Sequence, residues 1–228
     1  AAIDATYSYS FGSPTKTSIS LAGNAAALVN TVEDGAALTV NNMSGLNLDD
    51  ATIESTSGNA GLLVGELGAN ATLTVKAAVG YEKSTVGATS ITAKQNAGGI
   101  VGLVGNKGTV EFSTGMDMSS LAVAGQNTSG GVVGKGTNLS LTIPDDATIK
   151  PAQTVGNENS IFSGGVVGDV KFKDVFTVTP SMFDFGDGVT LGAKLRAGAL
   201  FGKTDISNGD VTVQGGIYKS ELALGSDG

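Results

Sequence analysis

Short segments in which apolar or small residues alternate with polar ones recur along the whole chain. The run NAGGIVG at residues 96–102 has five relatives, namely NAAALVN ending at Asn30, NAGLLVG at Gly65, TSGGVVG at Gly134, FSGGVVG at Gly168 and RAGALFG at Gly202. The six end points are separated by 35, 37, 32, 34 and 34 residues. Repeats of this length are typical of solenoids, propellers and arrays. The pattern therefore predicts a repeat architecture with a period near 34 residues.

Two further apolar segments keep step with this run. About ten residues after each end point stands a β-type triplet, which ends at Val40, Val75, Phe112, Ile143, Val178 and Val213. An apolar residue also precedes the end point by 11 positions at Ile19, Ile91, Val123 and Leu191, and lies farther upstream at Ile53 and Ile149. Three short β-segments per repeat fit a parallel β-helix, because a helical repeat would need 3.6-residue periodicity.

We therefore predict an all-β fold, a right-handed parallel β-helix of about six coils. The handedness follows the general preference for right-handed crossovers. Equivalent residues of successive coils should stack about 4.8 Å apart.

Stacking predicts which columns form the interior. One residue before the end point the column is apolar, and five residues before it the column is small. Because side chains alternate across a strand, both columns should share a buried face. A glycine column faces the other way and predicts close backbone approach or a bend. The three columns are, in that order, Val29, Val64, Val101, Val133, Val167 and Phe201; Ala25, Ala60, Ala97, Ser129, Ser163 and Ala197; and Gly61, Gly98, Gly130, Gly164 and Gly198.

A fourth column, two residues before the end point, has two interpretations. In a regular strand its side chains point outward and form an apolar interaction stripe, since contiguous exposed apolar patches mark binding sites. Alternatively, the glycine-rich strand bends, or another segment covers it, because a strand that is apolar on both faces is normally covered on both. The column contains Leu28, Leu63, Ile100, Val132, Val166 and Leu200.

Polar residues also fall into columns. Asn24, Asn59 and Asn96 predict an internal asparagine ladder at a turn. In the position immediately after the end point, the last three copies carry charges of alternating sign, at Lys135, Asp169 and Lys203. Opposite charges on adjacent strands attract, so this column predicts a solvated ion-pair ladder rather than a catalytic row. The whole column is Thr31, Glu66, Leu103, Lys135, Asp169 and Lys203, and its last three members are the ones that alternate.

Residues 1–22 precede the first copy and are predicted to form an N-terminal capping segment, with residues 23–228 forming a six-repeat solenoid in the same domain. Tyr7, Tyr9 and Phe11 alternate with serines, which predicts a strand with one aromatic face. These rings either cover the open end of the core, as solenoid caps do, or form an aromatic sugar-binding platform.

The strings GLLVG, GGIVGLVG and GGVVG resemble the GLUG-type repeats of bacterial cell-surface and IgA-peptidase-type proteins. The resemblance extends over the whole chain as a repeat. It implies a surface-exposed bacterial protein with a repetitive scaffold, and it brings no catalytic residues. The first and last copies depart from the pattern at Asn30 and Ala199.

Composition restricts the partners. The 228 residues include 13 basic and 21 acidic side chains, a net charge of −8, and Arg196 is the one arginine. Because no basic stripe exists to displace counterions, we expect no nucleic-acid partner. The longest apolar stretch, residues 97–105, is too short to span a bilayer. Abundant Ser, Thr, Asn and Gly with little charge favour an extracellular location, and the expected partners are flanking domains of a larger surface protein and surface glycans or proteins.

Catalysis is not expected, and neither is a cofactor or metal. The chain contains no histidine and no cysteine, which removes the usual nucleophilic triads and zinc ligands. A β-helix enzyme acting on carbohydrate through carboxylates is the alternative, but Asp50, Asp146 and Asp187 do not share a column on neighbouring coils. Aspartates such as Asp49, Asp145 and these three lack the alternating spacing of a calcium loop and suit turns.

The sequence therefore favours a non-catalytic structural or adhesive module. A second alternative is ice binding through a threonine face, in which the central residues of the β-triplets form a ladder interrupted only by Glu111. Its threonines are Thr39, Thr74, Thr142, Thr177 and Thr212.

Overall fold

The structure, a computed structural model, describes residues 2–4, 18–42, 51–76, 89–174, 176–179, 182–186, 188–205, 211–213 and 221–225. All regular secondary structure in these ranges is β-strand. The strands named below pair in parallel throughout. Tyr7, Tyr9, Phe11, Asp49, Asp50 and Asp187 lie outside the described residues.

The strands follow one order in each coil. Strand β1 (Ala2–Asp4) comes first. Coil one has β2 (Ser18–Leu21), β3 (Ala25–Ala26), β4 (Val29–Val32) and β5 (Ala37–Asn42), and coil two has β6 (Thr52–Ser55), β7 (Ala60–Gly61), β8 (Val64–Leu67) and β9 (Thr72–Val75). Coil three has β10 (Ser90–Ala93), β11 (Asn96–Gly98), β12 (Val101–Val104), β13 (Thr109–Phe112) and β14 (Met116–Asp117), and coil four has β15 (Ala122–Gly125), β16 (Thr128–Gly130), β17 (Val133–Thr142) and β18 (Ile149–Lys150). Coil five has β19 (Thr154–Gly156), β20 (Phe162–Gly164), β21 (Val167–Phe172) and β22 (Phe176–Val178), and coil six has β23 (Gly188–Gly192), β24 (Arg196–Gly198), β25 (Phe201–Thr204) and β26 (Val211–Val213), followed by β27 (Glu221–Gly225).

Equivalent strands of successive coils form the sheets. The first sheet is β2-β6-β10-β15-β19-β23-β27 and the second is β3-β7-β11-β16-β20-β24. The third sheet, β4-β8-β12-β17-β21-β25, continues through the long strand β17 into the fourth, β1-β5-β9-β13-β17. Two short pairs, β14-β18 and β22-β26, complete the described strands. The six strands of the second sheet are separated by five turns of a β-solenoid.

Vertical stacking is confirmed residue by residue. Val101 pairs with Val64 below it and with Val133 above it, and Val133 pairs in turn with Val167. All four side chains are fully buried. The predicted parallel β-helix with a period near 34 residues is therefore correct, and the right-handed sense of the coil stays a prediction.

The first sheet corrects one assignment. Its buried column contains Val155 in coil five, where the sequence predicted Ile149. Ile149 instead stacks between Met116 and Phe183 at the preceding corner. The reason is a longer connection after β19, at residues 157–161, which moves the first-sheet strand farther from the end point. The column as observed is Ile19, Ile53, Ile91, Val123, Val155 and Leu191.

The second and third sheets pack with their backbones in contact. We call the unit formed by one second-sheet strand, a two-residue bend and the following third-sheet strand the glycine arch. A Cβ added to Gly102 would lie 2.6 Å from the Ala60 carbonyl oxygen, and one added to Gly168 would lie 2.7 Å from that of Ser129. From the other side, a Cβ on Gly61 would lie 2.6 Å from the Ile100 carbonyl oxygen. Both glycine columns therefore face this contact, which confirms the predicted close backbone approach.

The bend of the arch makes the exposed-stripe interpretation wrong. Leu63, Ile100, Val132 and Val166 are fully buried, and the chain bends at these residues in every coil. The carbonyls of Ile100, Val132 and Val166 each accept two N–H groups from the neighbouring coil, as Ile100 does from Leu63 and Val64 at 3.1 Å. These four residues are covered within the chain and offer no accessible apolar surface, whereas Leu28 and Leu200 in the outer coils are partly exposed.

The turns between the third and fourth sheets also stack, and one of them carries an unfavourable residue. Gly35, Asn70 and Lys107 occupy the same turn position with φ of 69°, 55° and 60°, and Asn138, at the equivalent position inside the long strand β17, has φ of 50°. Glycine adopts this left-handed conformation without strain, asparagine tolerates it, and lysine does not favour it. Lys107 is exposed.

We expect Lys107→Gly to stabilise the protein by about 0.5–1 kcal/mol, since the substitution relieves a left-handed backbone at a solvated turn. Urea denaturation followed by circular dichroism measures the change. Lys94→Gly, at an exposed residue outside the positive-φ region, is the matched control and should be neutral or destabilising. Equal effects of the two substitutions would contradict the backbone explanation.

Candidate functional site

The threonine face lies on the outer side of the fourth sheet. Thr39 pairs with Thr74, which pairs with Glu111, and Glu111 pairs with Thr142. Between the outward positions the strands bury Leu38, Leu73, Val110 and Leu141. This alternation is what directs the hydroxyl side chains outward.

A second outward row runs beside the first. It consists of Ala37, Thr72, Thr109 and Ser140, each two residues before a member of the first row and each in register with its neighbours. We use the name threonine face for both rows together. Neighbours along a strand are then about 6.6 Å apart and neighbours across strands about 4.8 Å apart. The face is a two-row lattice of hydroxyl and methyl groups on four coils.

Glu111 places a carboxylate in the row of hydroxyl groups, but it keeps the strand register of the threonine face. Its carboxylate accepts a hydrogen bond from the Thr74 hydroxyl at 3.3 Å, and its side chain is half-buried in the row. The sequence located this interruption correctly.

The sequence predicted that the threonine face continues through Thr177 and Thr212 in coils five and six. In the structure these two residues do not extend the described rows of the fourth sheet. Thr177 and Thr212 pair with each other in the separate β22-β26 sheet, and no described strand pairing joins β22 to β17. The cause is a register shift in which Phe172 of β21 pairs with Leu139. Phe172 then stacks on Phe176, with ring centroids 4.6 Å apart, and this aromatic pair displaces the fourth strand of coil five.

The predicted ion-pair ladder is present at the outer end of the glycine arch. Asp169 lies between two lysines, with Lys135 Nζ at 3.7 Å and Lys203 Nζ at 3.5 Å. The Lys203 ammonium also lies 5.4 Å from the ring centroid of Phe162. Both lysine side chains are about 40% exposed, so each pair is worth at most about 1 kcal/mol.

A second charge ladder was missed by the sequence reasoning. Lys150 Nζ lies 3.4 Å from an Asp117 carboxylate oxygen and 3.9 Å from one of Asp184. The three residues follow their end points by 15, 16 and 16 positions. The near-constant offset is the sequence signal from which this ladder could have been predicted.

Asp117 combines a charge partner with a local turn. Ser119 donates both its backbone N–H, at 3.0 Å, and its hydroxyl, at 2.7 Å, to the carboxylate. Burial raises the pKa of Asp117, but the Ser119 hydrogen bonds and the Lys150 charge outweigh burial, so its pKa lies below the ordinary value.

This shift predicts how stability depends on pH. Because the folded pKa is lowered, the stabilisation from Asp117 is complete above the unfolded pKa of about 3.9 and is lost as pH falls through the folded value. We expect Asp117→Asn to cost less than about 1 kcal/mol near neutral pH and to flatten the loss of stability below pH about 4. Lys150→Met should move the Asp117 titration upward, measured by NMR. An unchanged midpoint in that variant would contradict the assigned role of Lys150.

The asparagine ladder is confirmed and is longer than predicted. Asn96 Nδ2 donates to Asn59 Oδ1 at 2.7 Å, and Asn59 Nδ2 donates to Asn24 Oδ1 at 3.0 Å. Thr128 extends it by donating its hydroxyl to Asn96 Oδ1 at 2.8 Å. At the other end, Asn24 Nδ2 donates to a Glu66 carboxylate oxygen at 2.7 Å. These side chains satisfy one another's hydrogen-bonding groups at the start of the second-sheet strands, the mouth of the glycine arch, so we assign them a structural role.

Of the aspartates predicted to lie in turns, the structure describes Asp145 and Asp146, and it places Asp184 in a turn as well. Asp145 and Asp146 occupy the middle of a turn closed by a hydrogen bond from the Ala147 N–H to the Pro144 carbonyl. Asp184 accepts a hydrogen bond from the Gly186 N–H at 2.8 Å. Among the described residues no cluster of three or more His, Cys, Asp or Glu side chains could hold a metal ion.

One shallow depression lies on the outer corner that follows the first sheet. It is lined by residues of coils two to four, with hydroxyl, amide and one cationic group, and it is open to solvent. Glu54, on its rim, accepts a hydrogen bond from the Ser20 hydroxyl. The lining residues are Glu54, Ser55, Thr56, Thr92, Ala93, Lys94 and Gln126.

Comparisons with protein-family models, with curated proteins and with solved structures found no match. Within the described part of the chain, no helix is long and apolar enough to cross a membrane. Because no comparison supplies a site, the threonine face is chosen as the candidate site on the geometry of its in-register rows.

Proposed function

We propose that this chain is a non-catalytic repeat module of a secreted or surface-anchored bacterial protein, presenting stacked β-faces to a surface glycan or protein. The observation that supports this proposal is the in-register repetition of outward residues over consecutive coils, seen in the threonine face. A repeated lattice of hydroxyl groups gives many weak, identical contacts, which suits avidity toward a repetitive partner better than conversion of a single substrate. The GLUG-like strings described above support the cell-surface setting.

Glycan-array binding of the purified chain tests the adhesive part of the proposal. We expect binding to a polymeric or clustered glycan that weakens when Thr74 and Thr142 are both replaced by lysine, since the long charged side chains disrupt the face. Thr31→Lys together with Thr56→Lys, at exposed positions away from the face, is the matched control. Binding that survives the first pair of substitutions would place the glycan site elsewhere.

Ice binding is the second candidate function, and the two-row lattice is the observation that favours it. Hydroxyl and methyl groups repeat at about 6.6 by 4.8 Å on a β-surface, a spacing that can organise water in ordered rows. Thr142 is an exposed member of the face, so Thr142→Tyr adds bulk that prevents flat contact. We expect wild-type protein to inhibit ice recrystallisation and Thr142→Tyr to lose that activity; wild-type inactivity would exclude this function.

A further inference from the structure

The triplet Asn-X-Ser/Thr, in which X is any residue except proline, is the acceptor sequence for N-linked sugars. It occurs four times in the chain, at Asn42, Asn70, Asn127 and Asn138. The triplet of Asn42 extends beyond the described residues. A transferase must reach both the asparagine amide and the hydroxyl of the third residue, so the surroundings of the other three triplets decide which of them is open to modification after folding.

The triplet at residues 127–129 is closed on its hydroxyl side. Asn127 is exposed, but Ser129 is fully buried. The Ser129 hydroxyl accepts a hydrogen bond from the Gly125 N–H at 2.8 Å and lies 3.1 Å from the Ser160 hydroxyl. The folded chain therefore presents this asparagine without its hydroxyl.

The triplet at residues 138–140 is closed on its amide side. Asn138 lies within β17 and is half-buried. Its Nδ2 donates a hydrogen bond to Asn106 Oδ1 at 2.6 Å. The nitrogen that would receive a sugar is therefore engaged between two coils.

The triplet at residues 70–72 is open on both sides. Asn70 is exposed in the turn before β9, and unlike Asn138 it forms no side-chain hydrogen bond to another described residue. Thr72 lies outward in the second row of the threonine face, between Ala37 and Thr109 of the neighbouring strands. Because the side chain of Ala37 is short, the Thr72 hydroxyl is uncovered on that side.

We propose that Asn70 is the N-glycosylation site that the folded protein offers among these three triplets. In the transfer, Asn70 Nδ2 forms a bond to C1 of a diphosphate-activated sugar and loses one proton to a base of the transferase. The C1–O bond to the diphosphate breaks, and its electron pair leaves with the diphosphate. The attached sugar stands on the turn between the third and fourth sheets. The inference does not depend on glycan or ice binding by the threonine face.

The folded full chain is tested with a soluble N-glycosyltransferase and UDP-glucose, and peptide mapping by mass spectrometry locates each added hexose. The enzyme is one that accepts synthetic peptides of residues 65–77 and 122–134, in which both triplets are unfolded. In the folded chain we expect the hexose on Asn70, whereas Asn127 and Asn138 stay unmodified. The matched control within the same protein is Asn106, an exposed asparagine of the equivalent turn whose triplet ends in glycine.

Substitutions in the triplet separate acceptor recognition from simple exposure. Thr72→Ala should abolish modification of Asn70, and Thr72→Ser should retain it, since only the second variant keeps a hydroxyl. Asn70→Gly removes the acceptor without backbone strain, because φ at this position is 55°, and it should remove the hexose from this peptide. An unmodified Asn70 in the folded wild-type chain would overturn the proposal. Modification of Asn127 or Asn138 to the same extent as Asn70 would overturn it as well.

Discussion

Gly102→Ala is expected to destabilise the protein by about 3 kcal/mol, the upper part of the range for inserting a methyl group into a packed interior. The added Cβ would lie 2.6 Å from the Ala60 carbonyl oxygen, 2.7 Å from the Ala60 nitrogen and 2.7 Å from the Gly65 carbonyl oxygen. All three atoms are backbone and none can rotate away. Relief requires separation of the second and third sheets, which share hydrogen bonds with the coils above and below.

The control for this prediction is Gly23→Ala. No heavy atom lies within 4 Å of a Cβ built on Gly23, and its φ is outside the positive region. There the substitution only restricts the unfolded chain, which stabilises proteins by about 0.4–1 kcal/mol. Urea denaturation monitored by circular dichroism measures both variants. If Gly102→Ala is as stable as Gly23→Ala, the two sheets are not in backbone contact.

The glycine arch separates the features that could be predicted from the sequence from those that could not. Period, strand register and the buried valine column could be predicted because stacking requires equivalent residues to repeat. The path of the chain between the two strands could not, because a run such as GGIVG is compatible with a regular strand or with a sharp bend. Ile100 was therefore ambiguous between surface and interior until the contacts of Gly102 and Gly61 were known.

Coil five shows a second kind of failure. Ile149 and Val155 are both aliphatic and lie only six positions apart, and periodicity alone cannot decide which one joins the column of Ile91. The decision depends on the length of the connection after β19, which bends back through a turn closed by the Ser160 N–H and the Asn157 carbonyl. A second irregularity of coil five ends the threonine face, because β21 shifts register where Phe172 pairs with Leu139, and Phe172 then stacks on Phe176. Local insertions thus limit how far a column can be extended from sequence.

The second large loss of stability is expected when the asparagine ladder is broken at Asn59. Asn59 is 3% exposed, and its Oδ1 accepts the 2.7 Å hydrogen bond from Asn96 Nδ2. Asn59→Leu keeps the volume but leaves that donor without its partner in a site that is closed to water, because Asn96 is itself 5% exposed. An unsatisfied buried polar group costs about 1–3 kcal/mol, so we expect a loss of about 2 kcal/mol in the free energy of unfolding.

Two further variants make this prediction specific to the ladder. Asn127→Leu changes an exposed asparagine and should alter stability by no more than about 0.5 kcal/mol. The double variant Asn59→Leu with Asn96→Leu removes the stranded donor, and it should cost less than the sum of the two single substitutions, because residues in one hydrogen-bond network are coupled. Strict additivity in this cycle would mean that the two amides contribute separately, and the mouth of the arch would then be stabilised by its backbone hydrogen bonds rather than by side chains that bridge the coils.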